Sequence, residues 1–330
     1  MEDSLFQCVP FVDKDPIFEL ARLYKIDTFD KKVDLSVGVY RDDDGNPYVL
    51  PAVTKAEHML ISCLDYDHEY LSIDGLPSFI EVSKKLVFGM DSPLITNGCV
   101  SSIQTVSGTG ANHTGFLFIS LFNEGAAVNH DPILKHVGFT IKEYPYFDES
   151  TCGFDFEGMI GALKEAPENS VVLLHVCAHN PTGVDPTREQ WVKICDLMQE
   201  RKLFPFFDFA YQGFVSGDLD EDAWPIRHFS ERGLELCVCH SFSKNFGLYG
   251  ERCGCLHLVT KSPDVAKNVQ SQLSRIQRNE ISSPPSYGAK NISEMSCRIK
   301  KMRQLFYQEM IKLGTPGSWT NLISQVTVVF

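Results

Sequence analysis

The stretch SFSKNFGLYGER (Ser241–Arg252) follows the apolar run LELCVCH and carries Lys244, with Ser241 and Ser243 before it and Arg252 after. Alone, a lysine at a strand end is a solvated charge. Partly desolvated and near other positive charge, its amine loses basicity and becomes a nucleophile able to form a Schiff base with an aldehyde. The company of Lys244 favours the second reading. Asp208 sits inside FPFFDFAY, where a carboxylate is costly to bury unless a positive group meets it; a protonated pyridine nitrogen would. Asn180 and Tyr211 suit hydrogen bonds to a phenolic oxygen. Ser107, Gly108, Thr109 and Gly110 form a glycine-rich turn entering a helix, whose N–H groups and dipole favour an anion. Ser241 and Ser243 add hydroxyls and Arg252 a fixed charge, completing a phosphate cradle. Phosphate, aldehyde, pyridine nitrogen and phenolic oxygen are the parts of pyridoxal 5'-phosphate.

These residues need a scaffold that brings them together. SSIQTVSGTGANHTGFLFISLF reads as strand, turn, helix. SVVLLHVCAHNPTG, KLFPFFDFAYQGF and LELCVCHSFSKNFG are apolar runs that stop at polar residues. Continuous apolar strands between helices imply an α/β fold, a mainly parallel sheet covered by helices on both faces. Ligands of such sheets sit at the carboxyl ends of the strands, where Asn180, Asp208 with Tyr211, and Ser241 with Lys244 would converge. Before this core, Pro10 to Asp43 reads as an arm with a helix in IFELARLYK and an extended piece in VDLSVGVY; PAVTKAEHMLISCL is an amphipathic helix. After it, KSPDVAKNVQSQLSRIQ and SEMSCRIKKMRQLFYQEMIKLG read as helices, and SQVTVVF as the start of a strand.

With 330 residues, the chain exceeds one compact core, so a large domain and a smaller one are expected. A net charge of −13 argues against nucleic acid or an anionic membrane as partner. The eleven cysteines follow no spaced framework and imply no metal site; Cys237, Cys239, Cys253 and Cys255 alternate as strand residues do and read as buried thiols. The start MEDSLFQCVP lacks an apolar signal core and no run reaches membrane-spanning length, so a cytoplasmic setting is the default expectation.

LSVGVYRDDDGNPYVLPAV, HEYLSIDGLPSF, VSGTGA, HNPTGVDPT, FFDFAYQGF and SFSKNFGLYGER together resemble the aspartate aminotransferases, over nearly the whole chain. The resemblance implies a large pyridoxal-phosphate-binding domain at 48–311, an N-terminal arm and part of a small domain at 1–47, and a truncated remainder of that small domain at 312–330. It implies amino transfer from aspartate to 2-oxoglutarate by a homodimer whose ligands are a dicarboxylic amino acid and a 2-oxo acid. Lys244, Asp208 and Tyr70 match catalytic residues: the Schiff-base lysine, the partner of the ring nitrogen, and a tyrosine reaching the neighbouring subunit's phosphate. Ser107, Gly108, Thr109, Asn180, Tyr211, Ser241, Ser243 and Arg252 are the expected cofactor contacts. Gly38, Asn180 and Arg278 are the expected substrate contacts, Arg278 pairing with a distal carboxylate across the dimer. His130 and His175 match histidines near the ring aspartate.

Three departures from the family pattern carry expectations of their own. NEGAAVNHDPILKHVGF is shorter than the family's segment and holds neither the ring-stacking tryptophan nor an evident strand. The small-domain arginine for the α-carboxylate has no counterpart. Glu280, two residues from Arg278, is placed to compete with substrate for it. The second expectation is therefore a catalytically impaired form that dimerises or binds ligand without turnover.

Overall fold

Three continuously apolar stretches, buried on both faces, decide the architecture. In a computed structural model, residues 4, 6–13, 16–34, 38–63, 67–122, 127–128, 137, 139–293, 308 and 312 are described. The chain divides into two compact units, Met1–Tyr48 and Val49–Phe330. The first holds helix α1 (Pro16–Ile26) and a bridge between Arg41 and Pro47. The helix expected in the tail, the terminal strand and the expected region 312–330 fall outside the described residues, apart from Ser293, Gln308 and Lys312.

The second unit opens with helices α2 (Pro51–Ile61), α3 (Pro77–Phe88) and α4 (Pro93–Thr96), each with proline in the first turn, where its missing N–H costs nothing. Strand β1 (Val100–Val106) then runs directly into helix α5 (Ser107–Phe122). Short strand β2 (Ala127–Val128) pairs in parallel with β3 (Thr140–Ile141). This corrects the expectation of no strand between the phosphate turn and FTIKEYPYF: two residues are too short to show a hydrophobic period. The hairpin β4 (Phe147–Asp148) and β5 (Gly153–Phe154) leads into helix α6 (Phe156–Glu165). Then follow β6 (Val171–His175), helix α7 (Arg188–Glu200), β7 (Phe204–Phe209), helices α8 (Leu219–Asp222) and α9 (Trp224–Glu231), β8 (Leu236–Ser241), β9 (Cys253–Val259) and helix α10 (Pro263–Glu280).

One five-stranded sheet has the order β1-β9-β8-β7-β6. β6, β7 and β8 are parallel neighbours, while β9 is antiparallel to both β1 and β8. Four strands therefore run one way and one the other. Side chains alternate across the sheet. Val171, Leu173, Phe206, Cys237 and Cys239 pack with Ala111, Phe116 and Ile119 of α5 and Leu273 of α10. Val172, Leu174, Phe207, Phe209 and Val238 pack with Met159, Trp191, Ile194, Met198 and Phe229 from α6, α7 and α9. Both faces are covered, so apolar side chains line both sides of these strands. Cys237, Cys239, Cys253 and Cys255 are buried, and burial holds the last three thiols well above their ordinary pKa. Among the described residues, no helix is long and apolar enough to cross a membrane.

Candidate functional site

The phosphate turn is built by sterics first. Ser107 has φ 62°, left-handed backbone that a side chain adopts only when its surroundings demand it. A Cβ on Gly108 would lie 2.7 Å from the Ser241 Cβ, and one on Gly254 would lie 2.4 Å from the Ser107 carbonyl. Only glycines let the start of α5 press against the ends of β8 and β9. Hydrogen bonds then fix the polar groups. Arg252 Nη2 donates to Ser107 Oγ at 2.6 Å, Thr109 N donates to the same oxygen at 3.3 Å, and Ser107 N donates to the Arg252 carbonyl at 2.9 Å. Ser241 Oγ accepts from Ser243 N at 3.3 Å. Ser107, Gly108, Ser241 and Ser243 are buried; Thr109 and Arg252 reach solvent. Hydroxyls, N–H groups and a guanidinium thus gather at the N-terminus of a sixteen-residue helix, the chemistry of an anion site.

Beside it, His175, Cys177, Asn180, Asp208, Ala210, Tyr211 and Lys244 line one cleft. Strand register brings them there. His175 is the Cα partner of Asp208 across β6 and β7, and Cys239 is its partner on β8. Lys244 Nζ stands 5.5 Å from the centroid of the Tyr211 ring. Asn112, one turn into α5, donates from Nδ2 to Asp208 Oδ2 at 3.1 Å. Asn180 N donates to His175 Nδ1 at 3.1 Å, so the neutral ring carries its proton on Nε2. Burial, with Asp208 and Tyr249 nearby, raises the pKa of the Tyr211 phenol, which keeps it a proton donor at neutral pH. Burial, with Asp222 and Asp185 nearby, raises that of the Cys177 thiol, which is therefore no nucleophile.

Two carboxylates shape the cleft loops. Asp185 accepts from Ala178 N at 2.7 Å and His179 N at 3.0 Å, closing the turn that presents Asn180. Asp222 accepts from Gly213 N at 2.7 Å, Ser216 N at 3.1 Å and Ser216 Oγ at 2.6 Å, holding the loop that follows Tyr211.

The structure thus groups Lys244, Asp208, Asn180 and Tyr211 in one cleft, and Ser107, Gly108, Ser241, Ser243 and Arg252 around the turn. Two expected residues stand apart. Tyr70 is 85% exposed. Arg278 is exposed at the end of α10, donating to Ser282 Oγ. Gly38 belongs to the other unit and is exposed there. Glu280 does not take Arg278: its Oε2 lies 4.0 Å from His113 Nδ1. His130 lies outside the described residues. Among the described residues no tryptophan lines the cleft; Trp191 is buried under β7 and Trp224 stacks on His228. Sequence reasoning missed Asn112, Cys177 and Ala210. For Asn112 a signal existed: it lies four residues after Gly108, on the same face of the helix.

Residues 30–330 match the family described as Aminotransferase class I and II. The chain is 42% identical to a cytoplasmic aspartate aminotransferase of Schizosaccharomyces pombe, over 99% of this chain and 87% of that protein. It is also 42% identical to a chloroplastic aspartate aminotransferase of Arabidopsis thaliana, over 99% of this chain and 78% of that protein. Among solved structures, the cytoplasmic aspartate aminotransferase of Saccharomyces cerevisiae superposes with TM-score 0.85 at 41% identity, covering 97% of this chain and 86% of that one. An aromatic-amino-acid aminotransferase of Burkholderia pseudomallei, covalently bound to pyridoxal phosphate, superposes with TM-score 0.85 at 36% identity, covering 98% and 87%.

Proposed function

We propose, for a chain that belongs to the class I and II aminotransferases and is a pyridoxal-phosphate-dependent transaminase, that aspartate is its amino donor and 2-oxoglutarate its acceptor. Oxaloacetate and glutamate are then the products, and the net reaction exchanges an amino group for a carbonyl oxygen. The observation that carries the reading is the cleft shared by Lys244, Asp208, Asn180 and Tyr211.

The donor set suits the cofactor. Hydroxyls, N–H groups and a guanidinium at the turn match a phosphate, and the glycines leave it room. When bound, pyridoxal phosphate supplies an aldehyde for the amine and an electron-withdrawing ring for the charge left by deprotonation. Lys244 would hold that aldehyde through its amine, and the same amine, when free, would carry the proton at the substrate Cα. Asp208 accepts from the ring N–H and holds the nitrogen charged. Tyr211 and the Asn180 amide donate to the phenolic oxygen. Ser107, Gly108, Thr109, Ser241, Ser243 and Arg252 hold the phosphate. Gly38, Asn180 and Arg278 bind substrate, Arg278 by a two-pronged contact to the distal carboxylate. The exposure of Tyr70 and Arg278 supports a homodimer in which each serves the partner's site. The cytoplasm is the proposed setting, in line with the fission-yeast relative.

The absence of a tryptophan from the cleft among the described residues favours, as second reading, a chain that holds the cofactor but turns over little. One experiment separates the two. Pyridoxal phosphate is added to wild type and Lys244→Ala, and visible spectra are recorded. The wild-type band is expected to vanish in the variant; a band surviving in Lys244→Ala removes that lysine from the site. Aspartate alone is then added and oxaloacetate is measured. One oxaloacetate per bound cofactor supports the proposal, and none supports the second reading. Phenylpyruvate from phenylalanine, with no oxaloacetate from aspartate, would move the chain to the aromatic-amino-acid side of the family.

A further inference from the structure

Asn112 is 8% exposed on the face of α5 that meets the sheet. Its neighbours on that face show what packing alone asks for there. Gly108 lies against Ser241, and a Cβ on Gly115 would press on the Phe206 ring at 3.0 Å and on Cys237 Sγ at 3.2 Å. Between them stands an amide. Its Nδ2 donates to Asp208 Oδ2 at 3.1 Å, while its Oδ1 is buried with no hydrogen-bond partner among the described residues. A buried, unpartnered carbonyl oxygen carries a cost that a hydrocarbon side chain would not. The orientation is forced, because both carboxylate oxygens are acceptors and only the NH₂ end can face them.

We propose that Asn112 is the positioning residue for Asp208: its amide fixes the plane of the carboxylate through Oδ2 and leaves Oδ1 to meet the cofactor's ring nitrogen. The inference rests on the proposed role of Asp208. The other groups around that carboxylate are His175 on β6, Cys239 on β8, and Tyr211 and Lys244 across the cleft. Each of those four can gain or lose a proton. The Asn112 amide cannot, so it donates across the whole working pH range. That donor faces Asp208 Oδ2 in every protonation state of the neighbours.

The test uses the full chain with pyridoxal phosphate as probe. Two quantities are read in wild type, Asn112→Leu and Asn112→Asp: the cofactor dissociation constant and the pH midpoint of its visible band. In Asn112→Leu the carboxylate loses a charge-assisted donor, and cofactor binding is expected to weaken about tenfold. The band's midpoint should rise by roughly half a pH unit or more, since a less firmly charged ring leaves the Lys244-linked nitrogen more basic. In Asn112→Asp two carboxylate oxygens face each other and must share a proton, so the pH profile gains a step absent from wild type. This variant matches the native shape and decides the matter if the leucine variant does not fold. Wild-type affinity and a single-step profile in the folded variants overturn the inference. Asp208→Asn is the control. If it too leaves both readings unchanged, the role of Asp208 itself is wrong and the inference falls with it. If Asp208→Asn moves them and the Asn112 variants do not, only the Asn112 inference falls.

Discussion

At Gly254 a single hydrogen sets the geometry of the anion site. The residue pairs with Thr105 and Ser241 in the sheet, and a methyl group there would lie 2.4 Å from the Ser107 carbonyl. The obstacle is backbone, which cannot swing aside as a side-chain tip can. Gly254→Ala is therefore expected to displace the Ser107 turn, costing roughly 1–3 kcal/mol of stability as overpacking does, and to weaken pyridoxal phosphate binding. Gly161→Ala is the matched control: nothing lies within 4 Å of its would-be Cβ, and helix α6 gains a better helix former. Urea denaturation and cofactor titration check both. A Gly254→Ala protein with wild-type values in each would mean the turn does not depend on that contact. Single residues also show where sequence reading works. Lys244 and Asp208 stood out because a charge next to or inside an apolar run is anomalous. Asn112 did not, because a polar residue on a helix reads as solvated until the buried face is known.

At the scale of elements, burial on both faces made β6, β7 and β8 legible as strands, since alternation disappears when neither side meets water. The direction of β9 was not legible: an apolar run looks the same read either way, and β9 runs against its neighbours on both sides. The same strands hide a polar bridge to α3. Ser83 Oγ lies 2.9 Å from His257 Nε2 and 3.3 Å from His240 Nδ1, and Ser102 Oγ of β1 lies 2.8 Å from His257 Nδ1. Both histidines are fully buried. Desolvation lowers the pKa of His240 to about 3 and, with His240 and Lys84 nearby, holds His257 well below its ordinary value. Unfolded histidines take up a proton near pH 6.5. Unfolding thus binds protons below that point, and the stability present above it is lost as pH falls. The expected slope is about 1.4 kcal/mol per pH unit for each histidine. Denaturant midpoints between pH 6 and 4 should fall less steeply in His240→Gln, and less steeply again when His257→Gln is added. Equal slopes in all three proteins would show that the pair is not what acid attacks.

For the whole molecule, a charge of −13 sits beside a proposed dicarboxylate substrate, so capture must come from local cations rather than the overall field. Arg278 is the candidate, yet it is exposed and does not line the cleft that holds Lys244. Tyr70 stands the same way, 85% open to solvent. Among the described residues neither side chain lines the cleft of its own chain, and a sequence encodes one chain; the proposed dimer gives both a task there. If each Arg278 serves the partner's site, Lys244→Ala and Arg278→Ala chains are both inactive alone, for different reasons. Unfolded together and refolded as a mixture, they would form hybrids in which one site has lost both residues and the other has kept both. Half the dimers would be hybrids with one intact site of two, so recovered activity should approach ~25% of wild type by the statistics of a two-fold assembly. Recovery must appear only after subunit exchange and must scale with the hybrid fraction. No recovery, with hybrids demonstrated by differential tagging, would place Arg278 in the service of its own chain or of neither.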